Sequence, residues 1–134
     1  MSGGKKHAKA SVAFSLPTGV AVWLLTGNAL EAILASLGCV VGVVLSPDLD
    51  INHRTYSETV LPEPLQTAFY LWWLPYAWFI RHRSWVSHMP VVGTLIRVAY
   101  AFWWVPFVWC VDPLWWWVVI GLCVSDTLHW VMDI

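Results

Sequence analysis

Five apolar runs take up most of this chain, and histidines and aspartates gather at their ends; no other feature limits its possible folds so strongly. The ionisable set is His7, Asp48, Asp50, His53, His82, His88, Asp126, His129 and Asp133. Such groups are costly at the edge of a hydrocarbon phase and persist there mainly when paired, metal-bound or functional.

Composition supports a membrane reading. The 134 residues are 59% hydrophobic and only 11% charged, with a mean hydropathy of +0.64. These values describe an integral membrane protein, built as one all-α domain over 1–134. Twelve tryptophans suit lipid-facing and interfacial positions, where an indole has both an apolar body and an N–H to satisfy. A net charge of −1 gives no electrostatic case for nucleic acid. Cys39, Cys110 and Cys123 are separated, odd in number and set in apolar runs, which argues for packing rather than a disulfide or a Cys-type zinc site.

Four runs are long enough to cross about 30 Å of hydrocarbon. They extend from Ala10 to Thr26, Ala29 to Leu45, Val91 to Val111 and Leu114 to Met132, with kinks expected at Pro17 and Gly19 and at Pro106. No small-residue cleavage site follows the first, so it is expected to remain as a helix. The fifth run, Pro64 to Ile80, is dense in aromatics and broken by Pro75. If it spans, His82 and His88 lie on the opposite face from Asp48 and Asp50; if it is interfacial or re-entrant, the candidate ligands share one face. Charge favours the second arrangement. Four spans put Lys5, Lys6, Lys9, Arg54, Arg81 and Arg83 on one side, whereas the opposite loops, 27–28 and 112–113, carry no basic residue. Both termini and the polar connection over about 46–89 are then cytoplasmic.

Ser46-Pro47-Asp48-Leu49-Asp50 closes the second helix, and carboxylates two residues apart in a turn can face one cation or two. His53 and Arg54 follow and also suit a headgroup-facing loop. His82 and His88 are six residues apart, about 240° around a helix, so their rings converge only across a turn leading into a helix. Ser87 is an N-cap candidate and Pro90 suits the next helix's first turn. Asp126, His129 and Asp133 fall within about 60° on a helical wheel and form one polar stripe. Arg97 enters at similar depth. It either pairs with Asp126 or faces a bound anion while Asp126 and His129 bind metal. His7 precedes the first span among lysines and reads as a surface histidine or as a ligand.

Ser46-Pro47-Asp48-Leu49-Asp50-Ile51, Trp73-Leu74-Pro75-Tyr76, His82-Arg83-Ser84 with Ser87-His88, and Gly93-Thr94 with Arg97 and Tyr100 together resemble a family of small membrane proteins known as metal-binding proteins of unassigned function. A looser resemblance is to YdjM-type membrane-bound metal-dependent hydrolases, with their N-terminal His, Pro-Asp-x-Asp turn, His-Arg cluster and late Asp/His pair. More remotely, the chain is similar to zinc-dependent phospholipase C. Members of the closer family usually carry His-Asp near the N-terminus, where this chain has His7-Ala8.

The resemblance implies metal and suggests hydrolysis. The expected ligands are His7, Asp48, Asp50, His82, His88, Asp126 and His129. The expected cofactor is a divalent transition metal, zinc or manganese, since mixed imidazole and carboxylate ligands suit these better than magnesium. In the enzymatic reading a metal-activated water attacks a phosphoester or lipid-linked substrate at the membrane face, with Asp50 as general base and Arg83 and Arg97 holding phosphate. In the alternative reading a closed structural metal site ties helix ends together within a homo-oligomer or larger membrane assembly.

Overall fold

The computed structural model describes residues 2–51, 55–82, 84–102 and 112–133. Helices and turns make up these residues, with no strand among them. Chain order gives α1 (Ser2–Thr26), α2 (Ala29–Val41), a 3-10 turn (Pro47–Asp50), α3 (Tyr56–Thr59), α4 (Glu63–Phe79), α5 (Trp85–His88), α6 (Pro90–Phe102) and α7 (Trp115–Asp133). His53, Arg54, Arg83, Pro106, Cys110 and the C-terminal half of the third expected span lie outside the described residues.

Local chemistry explains the ends of these elements. Gly27 takes φ +68°, open to glycine at no steric cost, and its N–H closes α1 on the Trp23 carbonyl at 2.8 Å. Asn28 then caps α2, its side chain accepting from the Leu30 N–H at 3.0 Å. After Val41 the backbone tightens, with Val43 N–H bonding to Val40 and Val44 N–H to Val41. Thus α2 stops short of the expected Leu45. Ser46 caps the following turn through the Asp48 N–H at 3.1 Å, with Pro47 at its start.

Ser84, rather than Ser87, caps the next helix. Its hydroxyl accepts from the Ser87 N–H at 3.2 Å, so α5 is a single turn and Pro90 opens α6 directly. That leaves the Ser87 side chain free to meet His88.

The helices α1, α2 and α7 form a tight group. Gly38 on α2 and Gly42 just past its end meet Gly121 and Ser125 on α7 so closely that a Cβ on Gly121 would sit 2.0 Å from the Ala35 carbonyl oxygen, and one on Gly38 would sit 2.2 Å from that of Val118. Small residues spaced four apart let backbones approach in this way. Cys39 fills the same contact, its thiol donating to the Gly121 carbonyl at 3.2 Å. A second cluster joins Leu49 of the Pro47–Asp50 turn to Trp73 and Tyr76 of α4. Tyr100 of α6 packs against it and donates from its hydroxyl to the Trp72 carbonyl at 2.6 Å.

Burial is inverted relative to the usual globular pattern. Leu25 and Phe79 are 84% and 86% exposed, whereas Arg97, Asp126 and Asp50 are at most 2% exposed. Large apolar side chains line the exterior of α1, α2, α4, α6 and α7, while hydroxyls and charges share the interior with two small apolar clusters.

Among the described residues only Gly4–Thr26 of α1 is long and apolar enough to cross a membrane; Ala29–Val41 and Pro90–Phe102 are shorter apolar helices. The four expected spans therefore do not all appear at full length. Tightening after Val41 shortens the second, residues 103–111 are not described, and Trp, Asp126 and His129 lower the hydropathy of α7, whose bounds otherwise match the expected Leu114 to Met132.

Candidate metal centre

Four separate segments deliver histidines and aspartates to one place. His7 comes from the first turns of α1, Asp48 and Asp50 from the turn after α2, His82 and His88 from the segment ending in α5, and His129 and Asp133 from the last turns of α7. The six-residue spacing resolves as convergence requires: His82 lies in a turn, His88 ends a one-turn helix, and their rings are 5.4 Å apart. Since His82 Nδ1 is 2.5 Å from Asp50 Oδ1, α4 returns the chain to the ligands it left rather than carrying it away.

The cluster runs as a chain of contacts. His7 Nε2 is 3.2 Å from Asp133 Oδ1, and His129 Nε2 is 3.4 Å from Asp133 Oδ2 and 3.5 Å from Asp48 Oδ1. His88 Nδ1 is 3.6 Å from Asp50 Oδ2. The rings of His7 and His129 stack at 3.9 Å. Three sets of ligand atoms are close enough to hold a cation: His7, His129 and Asp133; Asp48, His88 and His129; Asp50, His82 and His88. Separations of 3.4–3.6 Å are too long for good hydrogen bonds. A tetrahedral zinc site with bonds of about 2.0–2.1 Å has ligand-to-ligand edges of about 3.4 Å.

Unsatisfied buried atoms provide an independent test of fit. His7 Nδ1, Asp50 Oδ2, His88 Nε2 and His129 Nε2 are all buried without a hydrogen-bond partner. Each such group costs about 1–3 kcal/mol when left unpaired, so four in one cluster call for a further occupant. Neutral imidazole nitrogens and carboxylate oxygens are the donors a divalent transition metal takes. The residues therefore fit a metal.

Electrostatics keep the ligands in metal-binding form. Burial lowers the pKa of His88, and the neighbouring His129 and His82 add to this, outweighing the opposing pull of Asp50 and Asp48. Burial would raise the Asp48 carboxyl, but the close approach of His129, aided by the charges of His7 and His82, holds it below its ordinary value. A neutral imidazole and an ionised carboxylate are the ligating species. Ser87 Oγ lies 3.1 Å from the Ser84 carbonyl and 2.8 Å from His88 Nδ1. If the hydroxyl donates to that carbonyl, Nδ1 carries the imidazole hydrogen and Nε2 keeps a bare lone pair.

Asp126 and Arg97 are placed differently from the other expected site residues. Asp126 belongs to none of the three ligand sets; its Oδ2 accepts from both Arg97 and Thr94. Arg97 also donates to the Ser87 carbonyl at 2.9 Å and is only 1% exposed. The pair joins α6 to α7, with Ser87 just before His88 and Asp126 one turn before His129. Asp126 Oδ1 remains buried without a hydrogen-bond partner.

Asp133 completes the first ligand set although the sequence left its role open. Its signal was its place four residues after His129 on the polar stripe. A crevice lined by His7, Ser11, Ser46, Asp48, Ser57 and His129 opens beside the first two sets. Asp48 retains 24% of its side-chain exposure, while that of Asp50 is fully covered.

An all-helical protein with a polar interior built around a histidine and aspartate ligand cluster is the class that fold and site define. The chain belongs to the family described as uncharacterized metal-binding protein (DUF2227), whose model matches residues 2–118. The match includes His7, Asp48, Asp50, His82 and His88 and ends before Asp126, His129 and Asp133. No curated protein and no solved structure matches the chain.

Proposed function

We propose that this chain is a membrane-embedded metal-dependent hydrolase, with a zinc or manganese ion at the cytoplasmic membrane face and a phosphoester or lipid-linked phosphate as substrate. The observation that carries the reading is the pairing of three-ligand sets with an adjoining crevice, inside a molecule whose exterior is apolar. Three protein ligands leave a coordination position open, as catalytic zinc sites do, whereas structural sites are closed. A bound divalent cation supplies Lewis acidity toward a phosphoryl oxygen and acidifies a coordinated water.

The remaining roles fall to the protein. Asp50 is held between His82 and His88, so it ligates or orients the imidazoles. Asp48 faces the crevice, beside the entrance through which water and substrate would reach the metal. Arg83 is the cation left to hold a phosphate, since Arg97 is occupied by Asp126. The looser resemblance to YdjM-type hydrolases supports hydrolysis, the outward Leu, Val and Trp side chains support membrane embedding, and the one-sided Lys and Arg support both termini on the cytoplasmic side. The alternative, a structural metal tie within a larger membrane assembly, draws on the convergence of ligands from four segments.

Topology and activity test separate parts of this proposal. In a background lacking the three cysteines, single cysteines at Asn28 and Asp112 should label from outside the cell, and those at Ser2, Ser57 and Ser84 should not. Purified protein loaded with Zn²⁺ or Mn²⁺ should hydrolyse a membrane phosphoester, and Asp48→Asn should lower that activity by at least about 10-fold as the carboxylate at the entrance is lost. External labelling at Ser57 or Ser84 would overturn the membrane arrangement. Metal-loaded protein without hydrolysis of phosphoester lipids would leave the structural tie as the better account.

A further inference from the structure

The three ligand sets cannot all be filled by separate ions. The middle set shares His129 with the first and His88 with the third, and a neutral imidazole offers one lone pair. The outer sets, His7 with His129 and Asp133 and Asp50 with His82 and His88, share no residue. Asp48 lies between them, in the set that contains one histidine from each. We propose that the cluster holds two divalent cations, one in each outer set, with the Asp48 carboxylate bridging them.

Distances argue against a single shared ion. Ligand atoms on opposite sides of one ion with bonds of about 2.1 Å lie at most about 4.2 Å apart. The sets gather atoms within 4.8 Å of one another, and His7 and His82 never fall in a common set. One cation would therefore leave histidines at one end of the cluster without a metal. It would also leave unsatisfied buried atoms at that end, since His7 of the first set and Asp50 and His88 of the third each carry one.

Charge points the same way. As ligands, Asp48, Asp50 and Asp133 bring three negative charges, which one divalent cation does not neutralise. The buried Arg97 is already paired with Asp126. Two cations leave the centre with one net positive charge, suited to an anionic substrate. A carboxylate has two oxygens and can present one to each ion, as a single ring nitrogen cannot. Asp48, partly open to the crevice, would place both ions beside the same entrance.

This inference rests on the reading that the cluster is where the chain binds metal, and the test separates the two. The intact chain in detergent is freed of metal and titrated with Mn²⁺, with bound metal counted and the electron paramagnetic resonance spectrum recorded. Two equivalents per chain and an exchange-coupled spectrum are expected. His7→Ala and His82→Ala should each fall to one equivalent with an uncoupled six-line spectrum, and Asp48→Asn should weaken the coupling. Circular dichroism and gel filtration identify any variant that has lost its fold. In that case the wild-type count and coupling decide alone. Saturation of wild type at one equivalent, or at two without coupling, overturns the two-ion proposal and leaves the metal site standing. No bound Mn²⁺ or Zn²⁺ at all overturns both.

Discussion

Two buried polar regions meet on α7, at Asp126 and His129, and they handle the cost of burial in opposite ways. The Arg97–Asp126 pair closes largely on itself, since the guanidinium finds a carboxylate and a carbonyl and the carboxylate also takes the Thr94 hydroxyl. The histidine and aspartate cluster one turn away stays partly open: His82 meets Asp50 closely, but His129 faces Asp48 and Asp133 over distances too long for good hydrogen bonds, and four buried atoms find no partner. A closed region holds helices together. An open one waits for a ligand. The difference predicts that the first is needed for stability and the second for binding.

Breaking the pair should give the largest effect. Arg97→Gln or Asp126→Asn alone strands one charge in the interior and should destabilise the protein by about 3–5 kcal/mol, read as a lowered unfolding midpoint in detergent. The double variant should recover most of that loss, because no charge is left unpaired. It should also keep most of the bound metal. A double variant that recovers stability but loses metal would show that Arg97 and Asp126 serve the cluster and are more than a brace.

Ligand variants should show the reverse pattern. His88→Ala and His129→Leu should weaken Zn²⁺ binding by at least about 10-fold, or about 1.4 kcal/mol. Without metal they should unfold at or above the wild-type midpoint, because each removes an unsatisfied buried nitrogen. Titration calorimetry and thermal melting of the metal-free protein read both quantities. A large loss of metal-free stability would mean that the cluster is already satisfied internally, and the contrast with the ion pair would disappear.

How far these regions could be read from sequence follows from how local their causes are. The polar stripe of α7, the turn at Pro47 and the turn between His82 and His88 depend on spacing alone, so their residues could be named in advance. The helical class followed from composition. The close approach of α2 to α7 was not foreseen because it joins distant residues, Gly42 passing Ser125, 83 positions later. Gly38-x-x-x-Gly42 and Gly121-x-x-x-Ser125 carried that signal unread. Arg97 was recognised as either an anion holder or the partner of Asp126; spacing could not choose, since the choice depends on how α6 packs against α7. Asp133 was left undecided because its value as a ligand depends on His7, at the other end of the chain.

The smallest expected effect is on pH, and it tests whether the open region stays open without metal. His88 has a pKa below its ordinary 6.5, with burial the leading cause and Asp50, Asp48, His82 and His129 the groups facing it. Between the folded value and 6.5 the unfolded chain binds a proton that the folded chain refuses. The stability of the metal-free protein should therefore be fully present above that range and decline as pH falls through it. Asp48 is also depressed, but from 3.8, so its contribution is lost only in stronger acid and does not interfere. Unfolding followed from pH 7.5 to 5.5 should show a decline smaller than either mutational effect above, and His88→Gln should flatten it. A rise in stability on acidification would mean that the carboxylates capture a proton on His88 and close the cluster as an ion pair, making the two regions alike.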